Sequence, residues 1–256
     1  MAAVAAVVLA GRRNHGRLVT AAPDQAWEAL IPIAGRPMAA YVVAALSAVV
    51  ETRRIVVVGP PDLGGDHVRC VEPGESLTAS FRAAMAALEG DPATDLLVAT
   101  GDAPLVTADA VSTLLRTSQK RELAFGYPIV SRPVCERAYP GVHRTYVRLR
   151  DGNFTGGNCF YLTRAAVPRA LELLDRLYRN RKHPLRLAGM LGWNTVGALV
   201  LGRATLAGLE RTGSVLLGAP AGAVPMDDAG IGVDVDKPED LELCRAALSS
   251  GRTHPR

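Results

Sequence analysis

The hydrophobic pattern opens with residues 3–9 (AVAAVVL), an Ala- and Val-rich run that stops at Ala10-Gly11. A continuous apolar run of that length, ended by glycine, predicts a strand buried on both faces that hands its end to a loop. The loop covers residues 11–31 and carries Arg12, Arg13, Asn14, His15, Arg17, Asp24 and Glu28, after which Pro37 opens an apolar helix over residues 38–50. The pattern then repeats. Residues 54–59 (RIVVVG) predict a second buried strand and residues 76–88 (SLTASFRAAMAAL) a helix. Residues 95–100 (DLLVAT) predict a third strand, stopped by Gly101-Asp102-Ala103-Pro104, and Thr107 begins a helix with Asp109 in its first turn. Strands that alternate with helices predict an α/β fold with a mostly parallel sheet and a ligand site beyond the carboxyl ends of the strands.

The texture changes after Ala124. Residues 125–130, 144–150 and 158–162 read as strands joined by turns at Pro140-Gly141 and Asp151-Gly152, a mixed or antiparallel extension of the sheet. Residues 164–218 have helical spacing broken by Pro184 and several glycines, with pieces at 168–180 and 185–191. Residues 232–236 (GVDVD) read as a last short strand, residues 238–248 as a helix with Pro at its start, and residues 251–256 as a frayed tail. No repeat or linker interrupts the chain, so residues 1–256 are expected to form one domain with a helical elaboration at about 164–218.

Composition refines this reading. Hydrophobic residues make up 48% of the chain but aromatics only 5%, so the core is aliphatic. The net charge of +4 comes from 29 basic residues interspersed among 25 acidic ones, without a like-charge block, which suits a small phosphorylated ligand better than nucleic acid. Cys70, Cys135, Cys159 and Cys244 form no C-x-x-C pair, so neither zinc nor a disulfide framework is expected. The apolar opening lacks a basic segment before it and is too short to span a bilayer; a cytoplasmic protein without nucleic-acid or membrane partners is expected.

The sharpest chemical feature is Asp102 directly after a buried strand, where a carboxylate faces the crevice and offers oxygen to a hard cation. Asp234 and Asp236 stand at period-two spacing, on one face of their segment. Two carboxylates from distant segments that converge on one sheet edge can hold Mg²⁺ or Mn²⁺ over a triphosphate. The alternative is structural: Asp is a favoured N-cap, and Asp102 and Asp236 each precede a helix. The turn at Leu9, Ala10 and Gly11 can present backbone N–H groups to phosphates, with Arg12, Arg13 and Arg17 as charge-assisted donors. Gly156, Gly157 and Asn158 allow close backbone approach by a substrate, or else form a hairpin bulge. Lys182 and Arg144 are further candidate phosphate ligands. His15, His67, His143 and His183 lack metal-ligand spacing and read as surface residues, while Trp27 and Trp193 read as packing residues.

The order L-A-G, L-I-P-I-A-G-R-P-M, G-D-A-P, G-G-N and V-D-V-D-K-P-E-D-L, spread over nearly the whole chain, resembles the MobA-like family of nucleotidyltransferases. The resemblance implies a three-layer α/β/α, Rossmann-like sheet of the glycosyltransferase-A type. It also implies transfer of a nucleoside monophosphate from a triphosphate, CTP or GTP, to a phosphorylated small molecule with release of pyrophosphate. By the same resemblance Leu9, Ala10 and Gly11, with Gly101, belong to the nucleotide-binding edge, and Asp102 and Asp236 are metal ligands. Ser76 or Ser80, in the segment GESLTAS, meets the base, and Gly157 and Asn158 face the acceptor. Three positions depart from the family pattern. Arg12 stands where a second glycine is common, Arg17 matches the loop arginine only with one extra residue, and Glu28 replaces a triphosphate-binding lysine. Loss of that lysine requires another cation, from Arg12, Arg13 or Lys182. It also keeps two other readings open, a glycosyltransferase that uses a nucleotide sugar and a nucleotide-binding protein without turnover.

Overall fold

The computed structural model describes residues 3–64, 68–142 and 144–249; His67, His143 and the tail at 251–256 lie outside them. The first strand, β1 (Val4–Leu9), alternates its side chains between two cores. Ala6 and Val8 join α1 (Met38–Ser47) and α3 (Ala108–Lys120) on one face, and Ala5 and Val7 join α2 (Leu77–Ala87) and α5 (Val167–Asn180) on the other. A strand that must be apolar on both faces is what a sheet covered by helices on both sides demands.

Around β1 the parallel half of the sheet holds β4 (Ile55–Val58), β5 (Arg69–Val71) and β6 (Asp95–Thr100), in the spatial order β5-β4-β1-β6. The second half begins with β7 (Phe125–Ser131), followed by α4 (Arg132–Ala138), β8 (Val147–Leu149), β9 (Gly152–Gly156) and β10 (Cys159–Thr163). β10 inserts antiparallel between β6 and β7, and the β8–β9 hairpin continues antiparallel from β7. Helices α5, α6 (Pro184–Leu191), α7 (Trp193–Val200) and α8 (Leu206–Leu217) come next, then β11 (Ala221–Met226), parallel to β7, and α9 (Pro238–Ser249). A two-residue ribbon, β2 (Pro32–Ile33) with β3 (Arg36–Pro37), closes the first loop. The result is the α/β architecture with a mixed sheet that the sequence predicts.

Several boundaries differ from expectation. The helix expected over 38–50 stops at Ser47, since residues 48–50 turn toward the next strand. β5, α4 and β9 are additional elements; β9 is rich in glycine and reads as a turn. The strand expected at 232–236 is absent. Its Val-Asp alternation is real, with Val233 and Val235 fully buried and Asp234 and Asp236 turned outward, but among the described residues the segment pairs with no strand. The edge position belongs instead to β11, whose Ala, Gly and Pro content masks its strand character.

Three strand ends meet tightly. A Cβ at Gly101 would lie 2.8 Å from Ala10 Cβ, and one at Gly59 would lie 2.9 Å from the Ala10 carbonyl oxygen, so both neighbours of β1 need glycine where they leave the sheet. Over this edge sits a third core, in which Leu18, Ile31 and Ile33 of the first loop pack with Leu105, Val233, Val235 and Leu241. It binds the first loop, the segment after β6 and the chain before α9 into one unit. Gly230 closes it, because a Cβ there would stand 2.1 Å from the Leu105 carbonyl oxygen. Substitution Gly230→Ala is expected to lower unfolding free energy by about 1–3 kcal/mol, the usual cost of forced repacking, read from the urea midpoint. An unchanged midpoint contradicts this packing.

Candidate active site

The loop after β6 and the segment at 233–236 are joined backbone to backbone. Val235 N–H donates to the Asp102 carbonyl at 2.9 Å. Asn158 extends the same stitching: its carbonyl accepts from Thr100 N–H at 3.0 Å, and its own N–H donates to the Ile231 carbonyl at 2.8 Å. Asp228, which the sequence reading did not single out, braces the assembly. Its Oδ2 accepts from Thr107 Oγ1 at 2.5 Å and its Oδ1 from Gly230 N–H at 2.7 Å. A signal existed in the adjacent pair Asp227-Asp228, but no spacing distinguished it.

Neither aspartate serves as the helix cap that was the structural alternative. Thr107 caps α3 by accepting from Ala110 N–H at 3.1 Å. Before α9 the roles are reversed, since the N–H groups of Asp236 and Lys237 both donate to Asp240 Oδ2 at 3.2 Å. The Asp236 carboxylate faces Arg12, with Nη1 to Oδ1 at 3.0 Å, and Arg17 at 3.9 Å. Asp102 Oδ1 is buried and has no hydrogen-bond partner. Burial raises the Asp102 carboxyl above its ordinary range, and the charge of Asp234 adds to the rise. Asp234 has its own counter-ion in Arg144, 3.9 Å away and only 9% exposed at its side chain.

Glu28 is the second buried acid, 3% exposed and raised by burial against the pull of Arg12. Arg12 Nε lies 3.2 Å from Glu28 Oε2, an ion pair without hydrogen-bond alignment, so that oxygen has no donor. Arg12 therefore bridges two acids, Glu28 behind it and Asp236 in front. Asp102 and Asp236 both raise the Glu28 carboxyl, and Asp102 supports the Arg12 charge. Three aspartates and one glutamate thus share one edge of the sheet with three arginines, Arg12, Arg17 and Arg144.

The other predicted residues divide. Leu9 and Ala10 take backbone bonds to Gly101 N–H and the Val58 carbonyl, and a Cβ at Gly11 would meet Pro73, so this turn lies against the segment before α2. Arg13 stacks on Trp27 at 3.6 Å, which occupies its guanidinium face. Ser76 caps α2 through Ala79 N–H, and Ser80 Oγ accepts from Gly74 N–H at 3.1 Å; both hydroxyls hold their loop in shape. Gly157 donates to the Pro128 carbonyl at 2.9 Å, with Pro128 too close for a Cβ. Lys182 is exposed between α5 and α6 and takes no part in the ion-pair cluster. Trp193, expected to pack, is exposed.

Among the described residues no three His, Cys, Asp or Glu side chains gather as a metal cage. Asp102 and Asp236 can supply two oxygens, one of them already stripped of partners. That fits Mg²⁺, which keeps several waters and takes one or two carboxylates together with substrate phosphates.

Residues 6–185 match the family described as the MobA-like NTP transferase domain. A 2-C-methyl-D-erythritol 4-phosphate cytidylyltransferase of Cereibacter sphaeroides is 33% identical over 197 residues, covering 72% of this chain and 79% of the relative. A hypothetical transferase from Thermus thermophilus superposes with a TM-score of 0.79 at 36% identity, over 94% of this chain and all of the other. A 2-C-methyl-D-erythritol 4-phosphate cytidylyltransferase, also from Thermus thermophilus, shares the fold, with a TM-score of 0.55 at 15% identity over 96% of this chain and 99% of its own.

The raised Asp102 carboxyl makes a stability prediction. The folded state holds that proton more tightly than the unfolded chain, so stability is lost as pH climbs from the ordinary carboxylate range through the raised value. Asp102→Asn removes the loss. It is expected to raise Tm by roughly 2–4 °C at pH 8, about 1 kcal/mol for a chain of this size, with the gain shrinking toward pH 4. A Tm that falls at pH 8, by scanning calorimetry, contradicts the assignment.

Proposed function

Because the chain belongs to the MobA-like NTP transferase family, we propose that this nucleotidyltransferase moves a nucleoside monophosphate from a triphosphate to a phosphorylated small molecule and releases pyrophosphate. The observation that carries the reading is the bond from Val235 N–H to the Asp102 carbonyl, which fastens the segment bearing Asp236 to the loop bearing Asp102. An acceptor oxygen attacks the α-phosphorus, its bond to that phosphorus forms, and the bond to the bridging oxygen of pyrophosphate breaks. Asp102 and Asp236 are the residues that would hold a divalent cation, which would supply charge neutralisation at the phosphate oxygens. Asp236 suits this role better than Asp234, since its counter-ions are the exposed loop residues Arg12 and Arg17, whereas Asp234 faces the buried Arg144.

The residues of the chain act mainly by position. Arg12 replaces the missing lysine as the cation over the triphosphate, and Glu28 beneath it fixes where its guanidinium points. The turn at Leu9, Ala10 and Gly11 and the loop held by Ser76 and Ser80 form the nucleotide side of the cleft. Gly157 and Asn158, tied to Pro128 and Ile231, form the acceptor side. CTP is the first triphosphate to test, because relatives at 33% identity over most of the chain are named as cytidylyltransferases.

The assay is pyrophosphate release from CTP, GTP, ATP and UTP with Mg²⁺ and a panel of phosphorylated sugars and polyols. Release with one triphosphate that depends on acceptor supports the reading, and no release across the panel refutes it. In the active combination Arg12→Ala is expected to lower kcat/KM about 10²-fold, the scale of one lost charge-stabilising group. Glu28→Gln is expected to cost less alone and almost nothing on top of Arg12→Ala, since the two act through one guanidinium. Additive losses contradict that coupling.

A further inference from the structure

Residues 187–202, from the end of α6 through α7, carry no charge, yet their apolar side chains are not put away. α7 has no buried residue at all, and α6 buries only Ala188. Trp193 is 62% exposed, Leu185 72%, Val200 81% and, on the neighbouring α8, Val215 80%. These helices are held in place: Thr195 and Thr212 share a hydrogen bond between α7 and α8 at 3.0 Å, and Asn180 Nδ2 reaches Met190 Sδ between α5 and α6. The apolar surface is therefore built into a fixed layer. Past the end of α7, Gly202 lies against Arg148, and the adjacent Val147 is exposed and lines an apolar cleft of about 230 Å³ with Leu206, Leu209, Tyr127 and Phe154.

Within residues 176–209 every charged side chain is a cation, while the flanking acids, Asp175 and Glu210, pair with Arg82 and Arg121. Between Asp175 and Glu210 the chain holds Arg176, Arg179, Arg181, Lys182, Arg186 and Arg203, and no acid. None of these six forms an ion pair with a carboxylate among the described residues; the hydrogen bonds of Arg179 and Arg181 go to backbone carbonyls. Exposed aliphatic residues and a tryptophan bordered by unneutralised arginines match the composition of a lipid–water interface. A second copy of the chain fits poorly, because a two-fold contact sets the same cations against each other.

We propose that the α5–α8 layer docks on an anionic membrane surface, with Trp193, Leu185, Val200 and Val215 entering the headgroup region and the arginines meeting lipid phosphates. This departs from the expectation of no membrane partner, which rested on runs long enough to span. Among the described residues no helix is long and apolar enough to cross a membrane, so the contact is peripheral. It does not depend on which nucleotide is transferred.

The test uses the full chain in flotation with phosphatidylcholine vesicles, with and without phosphatidylglycerol, and follows tryptophan emission. Binding to the anionic vesicles alone, weakened by added salt and accompanied by a blue shift lost in Trp193→Ser, is expected. Arg179→Glu with Arg186→Glu is expected to weaken binding at least about tenfold, with Tm unchanged. Failure to float with either vesicle, or equal binding to both, overturns the proposal. So does a self-association seen by ultracentrifugation that Trp193→Ser abolishes while vesicle binding is absent.

Discussion

Four carboxylates crowd one sheet edge, and the rest of the structure is arranged to keep them there. Asp102, Asp234, Asp236 and Glu28 repel one another, two of them in surroundings that penalise charge. The backbone bond from Val235 to Asp102, the Asp228 brace and the apolar core over the strand ends hold their segments together against that repulsion. Arg12 and Arg144 offset the charge, Arg144 from inside and Arg12 from the solvent side. This division matters chemically. The buried cation is structural, while the exposed one can move when a stronger electrostatic partner arrives.

The scaffold supplies rigidity where the site needs it. Asp102 rides on the end of a strand buried on both faces, and Gly101 and Gly59 let that strand end and its neighbour close on Ala10 without a gap. The loop from Gly11 onward is pinned at Leu18, Ile31 and Ile33 and by the bonds of the Asn14 side chain to the carbonyls of Ala22 and Gln25. Its arginines therefore project from a fixed base. In the proposed reaction such a site would stabilise developing charge because its groups are already oriented before substrate enters. Unpartnered oxygen on Asp102 and Glu28 is the cost in stability of that readiness.

The parallel half of the sheet was legible because buried strands β1, β4 and β6 are continuous apolar runs ended by glycine, a pattern that tolerates little else. Asp102 was legible for the same reason: its position follows from the strand before it. The antiparallel half was not. β9 is built from Gly-Asn-Phe-Thr-Gly and β11 from Ala-Gly-Ala-Val-Pro-Met, and both owe their strand state to pairing with β7 rather than to local preference. Residues 233–236 show the converse, a local alternation that the tertiary structure uses for burial without a partner strand. Trp193 misled for a simpler reason. Tryptophan in an apolar run reads as core, and only the layer's placement reveals that it is exposed among the described residues.

The central claim is that Asp102 and Asp236 share one cation once a triphosphate draws Arg12 away from Asp236. Crystals grown with Mn²⁺ and a non-hydrolysable CTP analogue test it through anomalous difference density. One manganese peak between the two carboxylates, with the Arg12 guanidinium moved onto the triphosphate, is the predicted result. A peak elsewhere, or Arg12 still bonded to Asp236 beside bound nucleotide, contradicts the account.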